Sequence, residues 1–138
     1  MKNRKFKLNV LLVTLLLSSM NVNARDLQYG ISFISPGGIN FTTKATIAEL
    51  PLQASIGYLA DDMYGFEFGY SFLKNSSRTF RSVQLVAGST KISRREWDYA
   101  GLSATFQRGG FYVEPSILVG SGDYSNPQIS MQIGYLWQ

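Results

Sequence analysis

Tyr64-Gly65-Phe66-Glu67-Phe68-Gly69-Tyr70-Ser71-Phe72 is the stretch whose reading decides the fold. Its five aromatic side chains occupy every second position, and Gly, Glu, Gly and Ser fill the gaps. On a helix this order would scatter the rings around the axis. On a strand, where successive side chains point to opposite faces, it gathers them on one side.

The same alternation runs outward in both directions. Upstream, Leu27, Tyr29, Ile31 and Phe33 alternate with Gln28, Gly30 and Ser32. Next, Ile39, Phe41, Ala45 and Ile47 oppose Asn40, Thr42, Lys44 and Thr46. A third segment sets Leu52, Ala54, Ile56 and Tyr58 against Gln53, Ser55 and Gly57. Downstream, Val83, Leu85 and Ala87 oppose Ser82, Gln84 and Gly88, with Val86 out of pattern. Then Ala100, Leu102, Ala104 and Phe106 oppose Tyr99, Gly101, Ser103 and Thr105. Phe111, Val113, Pro115, Ile117 and Val119 oppose Tyr112, Glu114, Ser116 and Gly120. Last, Ile129, Met131, Ile133, Tyr135 and Trp137 oppose Ser130, Gln132 and Gly134. Turn signals separate the segments: Pro36-Gly37-Gly38, Asp61-Asp62, Lys74 to Arg78, a polar stretch from Thr90 to Glu96, Arg108-Gly109-Gly110, and Ser121 to Asn126. The reading is eight antiparallel strands of about nine to eleven residues, the length a tilted strand needs to cross a bilayer.

The N-terminus is of another kind. Lys2, Arg4, Lys5 and Lys7 precede an apolar run from Leu8 to Leu17, and Val22-Asn23-Ala24 fits a small-x-small cleavage site. Residues 1–24 read as a cleaved signal peptide and 25–138 as a single barrel domain. The leader holds four of the 13 basic residues and no acid, so nine basic and nine acidic residues remain and the mature net charge is zero. The basic balance of the whole chain is therefore no argument for nucleic acid. There is no cysteine and no histidine, so thiolate chemistry and the commonest general base and metal ligand are missing. No metal, cofactor or catalytic residue is expected.

Alternation does not say which face is inside. Residue size does: the polar faces carry Gly, Ser, Thr and Gln, which suit the narrow interior of an eight-stranded barrel. The apolar faces carry Tyr29, Tyr58, Tyr64, Phe72, Phe106, Phe111, Tyr135 and Trp137 near strand ends, where interfacial aromatic girdles sit. The expected fold is an all-β, eight-stranded, up-and-down transmembrane barrel. Over residues 26–138 this pattern resembles the small eight-stranded outer-membrane proteins: the OmpX/Ail type, the OmpA membrane domain and the opacity-type porin-family barrels. The end of the chain, Gln132 to Gln138 with Gly134, Tyr135 and Trp137, resembles the signal read by the barrel assembly machinery, although the family usually ends on an aromatic and this chain adds Gln138. The resemblance implies an outer-membrane location, lipid and lipopolysaccharide as surroundings, the assembly machinery as a partner during biogenesis, and a monomer.

Three inward ionisable residues, Lys44, Glu67 and Glu114, need partners in a dry interior. The expected solution is an ion pair from Lys44 to one or both glutamates, inside a network of Gln28, Gln53, Gln84, Gln132 and Tyr112. Its plain reading is a plug that stabilises the barrel. The functional alternatives are a proton or ion path, and a Glu67–Glu114 acid–base pair, for which the interior has no room. Lipid-modifying enzymes and proteases of such barrels rely on His, so none of their sites transfers. Pro115 reads as a bulge or weak point, or else as a lateral opening. Lys91, Arg94 and Arg95 are surface-loop candidates for phosphate or host contact. The expected function is non-enzymatic, structural or interacting. A narrow pore is one alternative, and a soluble secreted or periplasmic barrel binding an apolar ligand is another. The loops at Pro36–Gly38, Ala60–Met63, Thr90–Glu96 and Ser121–Asn126 are short for an adhesin.

Overall fold

The computed structural model describes residues 27–60 and 62–137. The segment expected to be a signal peptide, with Arg25, Asp26, Asp61 and Gln138, lies outside the described residues. Eight strands follow one another: β1 (Gln28–Ile34), β2 (Gly38–Ile47), β3 (Leu50–Ala60), β4 (Met63–Lys74), β5 (Phe80–Ile92), β6 (Arg95–Arg108), β7 (Phe111–Gly122) and β8 (Gln128–Trp137). Each pairs antiparallel with the next. β1 pairs with β8, from Tyr29↔Trp137 to Ile34↔Gln132, and this seam closes the sheet into a barrel. Closure removes every sheet edge, so no row of backbone donors and acceptors is left unpaired.

The alternation becomes a partition of two faces. Ser32, Thr42, Gln53, Gln84, Glu114 and Gln132 are buried in the interior. Every strand turns large apolar side chains outward, among them Phe41 at 57%, Ile117 at 62% and Ile129 at 85% exposure. The aromatics expected near strand ends divide between the two ends of the barrel. Tyr58 pairs with Tyr64 at the end away from the termini. At the terminal end Tyr29 faces Trp137, Phe111 faces Tyr135, and the ring of Phe106 lies 5.6 Å from that of Phe80.

Strand lengths range more widely than nine to eleven residues, from 7 in β1 to 14 in β6. The expected polar loop over Thr90–Glu96 is a correction. β5 and β6 continue through it and are joined by Ser93 and Arg94 alone, with Ser93 at a positive φ of 57°. Lys91 and Arg95 are therefore strand residues, and only Arg94 lies in the turn. The cause is cross-strand pairing. Lys91 opposes Glu96 with a 3.0 Å ion pair, and Thr90 opposes Trp97, so polar side chains extend the ladder where composition suggests a loop. Of the two local readings of Pro115, a bulge or a weak point, the bulge is corrected. The β6–β7 register is the same on both sides of it, Ser103↔Ser116 and Phe106↔Val113, with the intervening partners missing from the ladder. A proline lacks the amide proton a strand partner needs, so the ladder is interrupted but not shifted. The register shifts that do occur lie near strand ends, at Tyr58/Ala60, Ser71/Leu73 and Phe80/Ser82.

The β1–β2 turn folds inward. Pro36 and Gly37 are buried. Thr90 donates its hydroxyl to the Pro36 carbonyl at 2.6 Å, and the Asn40 side chain accepts from Gly37 N and donates to the Ser35 carbonyl. Gly65 makes room: a Cβ there would stand 2.6 Å from the Pro36 oxygen. The mouth opposite the termini is thus partly stoppered by its own turn.

Candidate functional site

The strands bring six of the polar positions expected inside, Lys44, Gln53, Gln84, Tyr112, Glu114 and Gln132, into one interior neighbourhood. Glu114, on β7, is 2% exposed and is its centre. Its Oε1 accepts from Gln53 Nε2 at 2.9 Å, from Gln84 Nε2 and from Ser103 Oγ at 3.4 Å. Its Oε2 accepts from Lys44 Nζ at 2.9 Å and Thr105 Oγ1 at 3.0 Å. The Lys44 ammonium also lies 4.7 Å from the centre of the Tyr112 ring. Gln132 extends the network: its Nε2 donates to Ser32, Thr42 and Ser55 hydroxyls at 2.6–3.1 Å, and its Oε1 accepts from Gln53 at 3.3 Å. The Tyr112 hydroxyl donates to Thr42 at 3.4 Å. Gly134, opposite Ser32 on the closing seam, leaves space for that tyrosine, since a Cβ there would meet the Tyr112 ring at 2.8 Å.

This geometry limits the chemistry. A general base must present an open lone pair to the proton it takes, and both Glu114 oxygens are already occupied by five donors. An isolated carboxylate in a dry interior is strongly disfavoured, whereas one neutralised by an ammonium and ringed by hydrogen-bond donors is tolerated. The arrangement is that of a structural knot which ties β2, β3, β5, β6 and β7 together through their side chains.

Lys44 reaches Glu114 and makes no ion pair with Glu67 among the described residues. Glu67, on β4, instead accepts from the Tyr99 hydroxyl at 2.8 Å. The two glutamates therefore have separate partners and do not form a catalytic dyad. Gln28 lines a cavity of about 150 Å3 at the terminal end, together with Lys44, Gln53 and Gln84. Lys91 pairs with Glu96 and lies over the Tyr64 ring, and Arg95 lies over Tyr124. Tyr135 and Trp137, with their rings 5.3 Å apart, face outward on the strand that closes the barrel.

One interior feature escaped the sequence reading. Val86, Trp97, Tyr99 and Leu118 pack as a buried apolar cluster, with Tyr124 of the β7–β8 connection against it. The Trp97 ring stacks on Tyr99 at 4.9 Å and meets Tyr124 at 5.8 Å. Trp97 Nε1 is the one buried side-chain polar atom without a partner among the described residues. The signal was present: Trp97 and Tyr99 share the parity of Gly101, Ser103 and Thr105, and Val86, out of pattern for a polar face, is their apolar neighbour. The interior thus has two storeys, a charged knot toward the termini and an aromatic plug toward the far mouth. No known family model, curated protein or solved structure matches this chain, so what its interior and surface do is read from their geometry.

Proposed function

We propose that the chain is a non-enzymatic structural or interaction barrel of the bacterial outer membrane, exported with its leader removed and assembled as a closed monomer. The observation that carries this reading is the inversion of faces. Large apolar side chains encircle the outside on all eight strands while the interior is polar and charged. In water a soluble domain rarely leaves a contiguous apolar patch beyond a few hundred Å2, and apolar surface held in water costs about 25 cal/mol per Å2. Hydrocarbon removes that cost, and a closed barrel satisfies the backbone there without water. A soluble carrier of apolar ligands would need the aromatic faces inside, where Glu114 and its amide partners lie instead. The stoppered mouth and the occupied Glu114 favour a closed barrel over a pore. The resemblance to the OmpX/Ail type agrees with this reading.

Gel mobility of the mature protein, folded in detergent, tests it. The expected result is faster migration before boiling in SDS than after, with recovery from outer-membrane fractions. A protein that is monodisperse without detergent and migrates alike in both lanes would overturn the membrane reading.

A further inference from the structure

The cavity of about 150 Å3 at the terminal end has its floor on the outer side of the Glu114 knot. Lys44, Gln53, Gln84 and Thr105 line it, and each also contacts Glu114. Glu114 itself does not line it, and neither does any other carboxylate. The walls come from β1 through β6. At about 30 Å3 per water the space holds about five waters. That is well below the 300 Å3 or so at which sites for drug-sized ligands begin, so an occupant has few atoms.

The groups that line this space have hydrogen bonds left to give. Lys44 gives a proton to Glu114 Oε2, and its ammonium keeps others, with the side chain 17% exposed. Gln28, Ser71, Arg81 and Ser82 line the cavity and make no side-chain hydrogen bond or ion pair among the described residues. Arg81 owes its place to a bulge. Phe80 faces Phe106 and Ser82 faces Thr105, so Arg81 is the extra residue between them. A bulge frees such a residue from strict alternation and re-aims its side chain. Here it brings a guanidinium to the mouth of a polar interior. Lys74, Arg78 and Arg108 are exposed on the rim of the same end, where Glu49 is the one carboxylate among the described residues. A basic rim of that kind raises the local concentration of anions.

We propose that this vestibule binds a small free oxyanion of the phosphate class, held by the Arg81 guanidinium and the Lys44 ammonium, with Gln28, Ser71 and Ser82 donating the neutral hydrogen bonds. The guanidinium fork suits two oxygens of a phosphate. Donors come from β1, β2, β4 and β5, which are several sides of the space, and so suit an ion with four acceptor oxygens better than a carboxylate with two. Lys44 is already balanced by Glu114, so Arg81 supplies the uncompensated charge. The site lies within the sheet and depends on the closed barrel, not on what surrounds it.

The test is a titration of the full mature protein, folded in nonionic maltoside micelles, with sodium phosphate in place of sodium chloride at constant pH and ionic strength. The backbone amide signals of Ser71 and Ser82 should shift saturably, while those of Ser121 and Asp123 at the far mouth stay in place. Acetate should bind more weakly than phosphate. Arg81→Gln should weaken the phosphate titration about tenfold, the size of one lost hydrogen bond to a charged group. Arg81 is exposed and without a side-chain partner, so heat-dependent gel mobility should not change. Absence of a saturable shift, acetate binding as tightly as phosphate, or an Arg81→Gln titration like that of the parent would overturn the proposal. So would displacement of phosphate by an equal concentration of short-chain phosphatidylglycerol, since the phosphate would then belong to a lipid head group. A parent that is monodisperse without detergent is titrated in buffer with the same outcomes, which keeps this test apart from that of the membrane reading.

Discussion

Glu114 shows how far one residue can be read before its neighbours are known. That it is inward and needs a counter-charge follows from parity and from the cost of burying an ion. That Lys44, 70 positions away, supplies the charge while Glu67 turns to Tyr99 is a matter of strand register. Glu114→Leu leaves the Lys44 ammonium and two glutamine amides without their acceptor. Its expected cost is about 3–5 kcal/mol, the range for breaking a buried pair from one side. The Lys44→Met, Glu114→Leu double variant should be less destabilised than the sum of the two singles by about 1 kcal/mol or more. Urea titration of the folded fraction in lipid vesicles checks both, and strict additivity would mean that the pair does not act as a unit. Gly65→Val addresses the inturned β1–β2 turn. With the Pro36 oxygen 2.6 Å from the new Cβ, the turn cannot keep its seat. Amide exchange at Gly37 and Gly38 should accelerate, while exchange at Leu102 and Ser103, on the middle of β6, stays slow.

Among the elements, β5, β6 and β7 depart most from expectation, and for physical reasons. A run such as Thr90 to Glu96 has loop composition, but composition reports contact with water, and a strand that rises beyond an apolar band is equally wet. The Lys91–Glu96 pair holds that hairpin to its tip. In β7 the interruption is chemical: Pro115 removes a donor from the ladder with β6 and leaves the register intact. Pro115→Val should restore that donor toward a carbonyl of β6, and the new amide at position 115 should exchange as slowly as those of Val113 and Ile117. Fast exchange at position 115 would place the gap in the strand geometry and not in the missing proton. The last strand was legible in outline. Gly134, Tyr135 and Trp137 occupy the parities expected of them, and β8 joins β1 through Tyr29↔Trp137.

For the whole molecule the balance of faces governs behaviour. The polar interior is filled, by the Glu114 knot toward the termini and by Trp97, Tyr99 and Tyr124 toward the far mouth. In a planar bilayer the purified barrel should give no discrete conductance steps. Steady channels in the parent that change with Trp97→Ala would show that the aromatic plug lines a path and does not close one. A barrel of eight strands is also the size at which side chains alone fill the interior, so the packing of side chains inside the described residues follows from strand number as much as from any residue.

The sequence by itself determined the strands, their alternating faces and the class of residue on each face, because period-two patterning is a local property that each segment carries independently. It also indicated that eight such segments, joined by short connections, suit an antiparallel barrel. Only the tertiary structure decided which partners meet. Lys44 to Glu114, Tyr99 to Glu67, Thr90 to Pro36 and the stacking of Trp97 on Tyr99 depend on register and on the stagger of a closed sheet, quantities summed around the whole barrel.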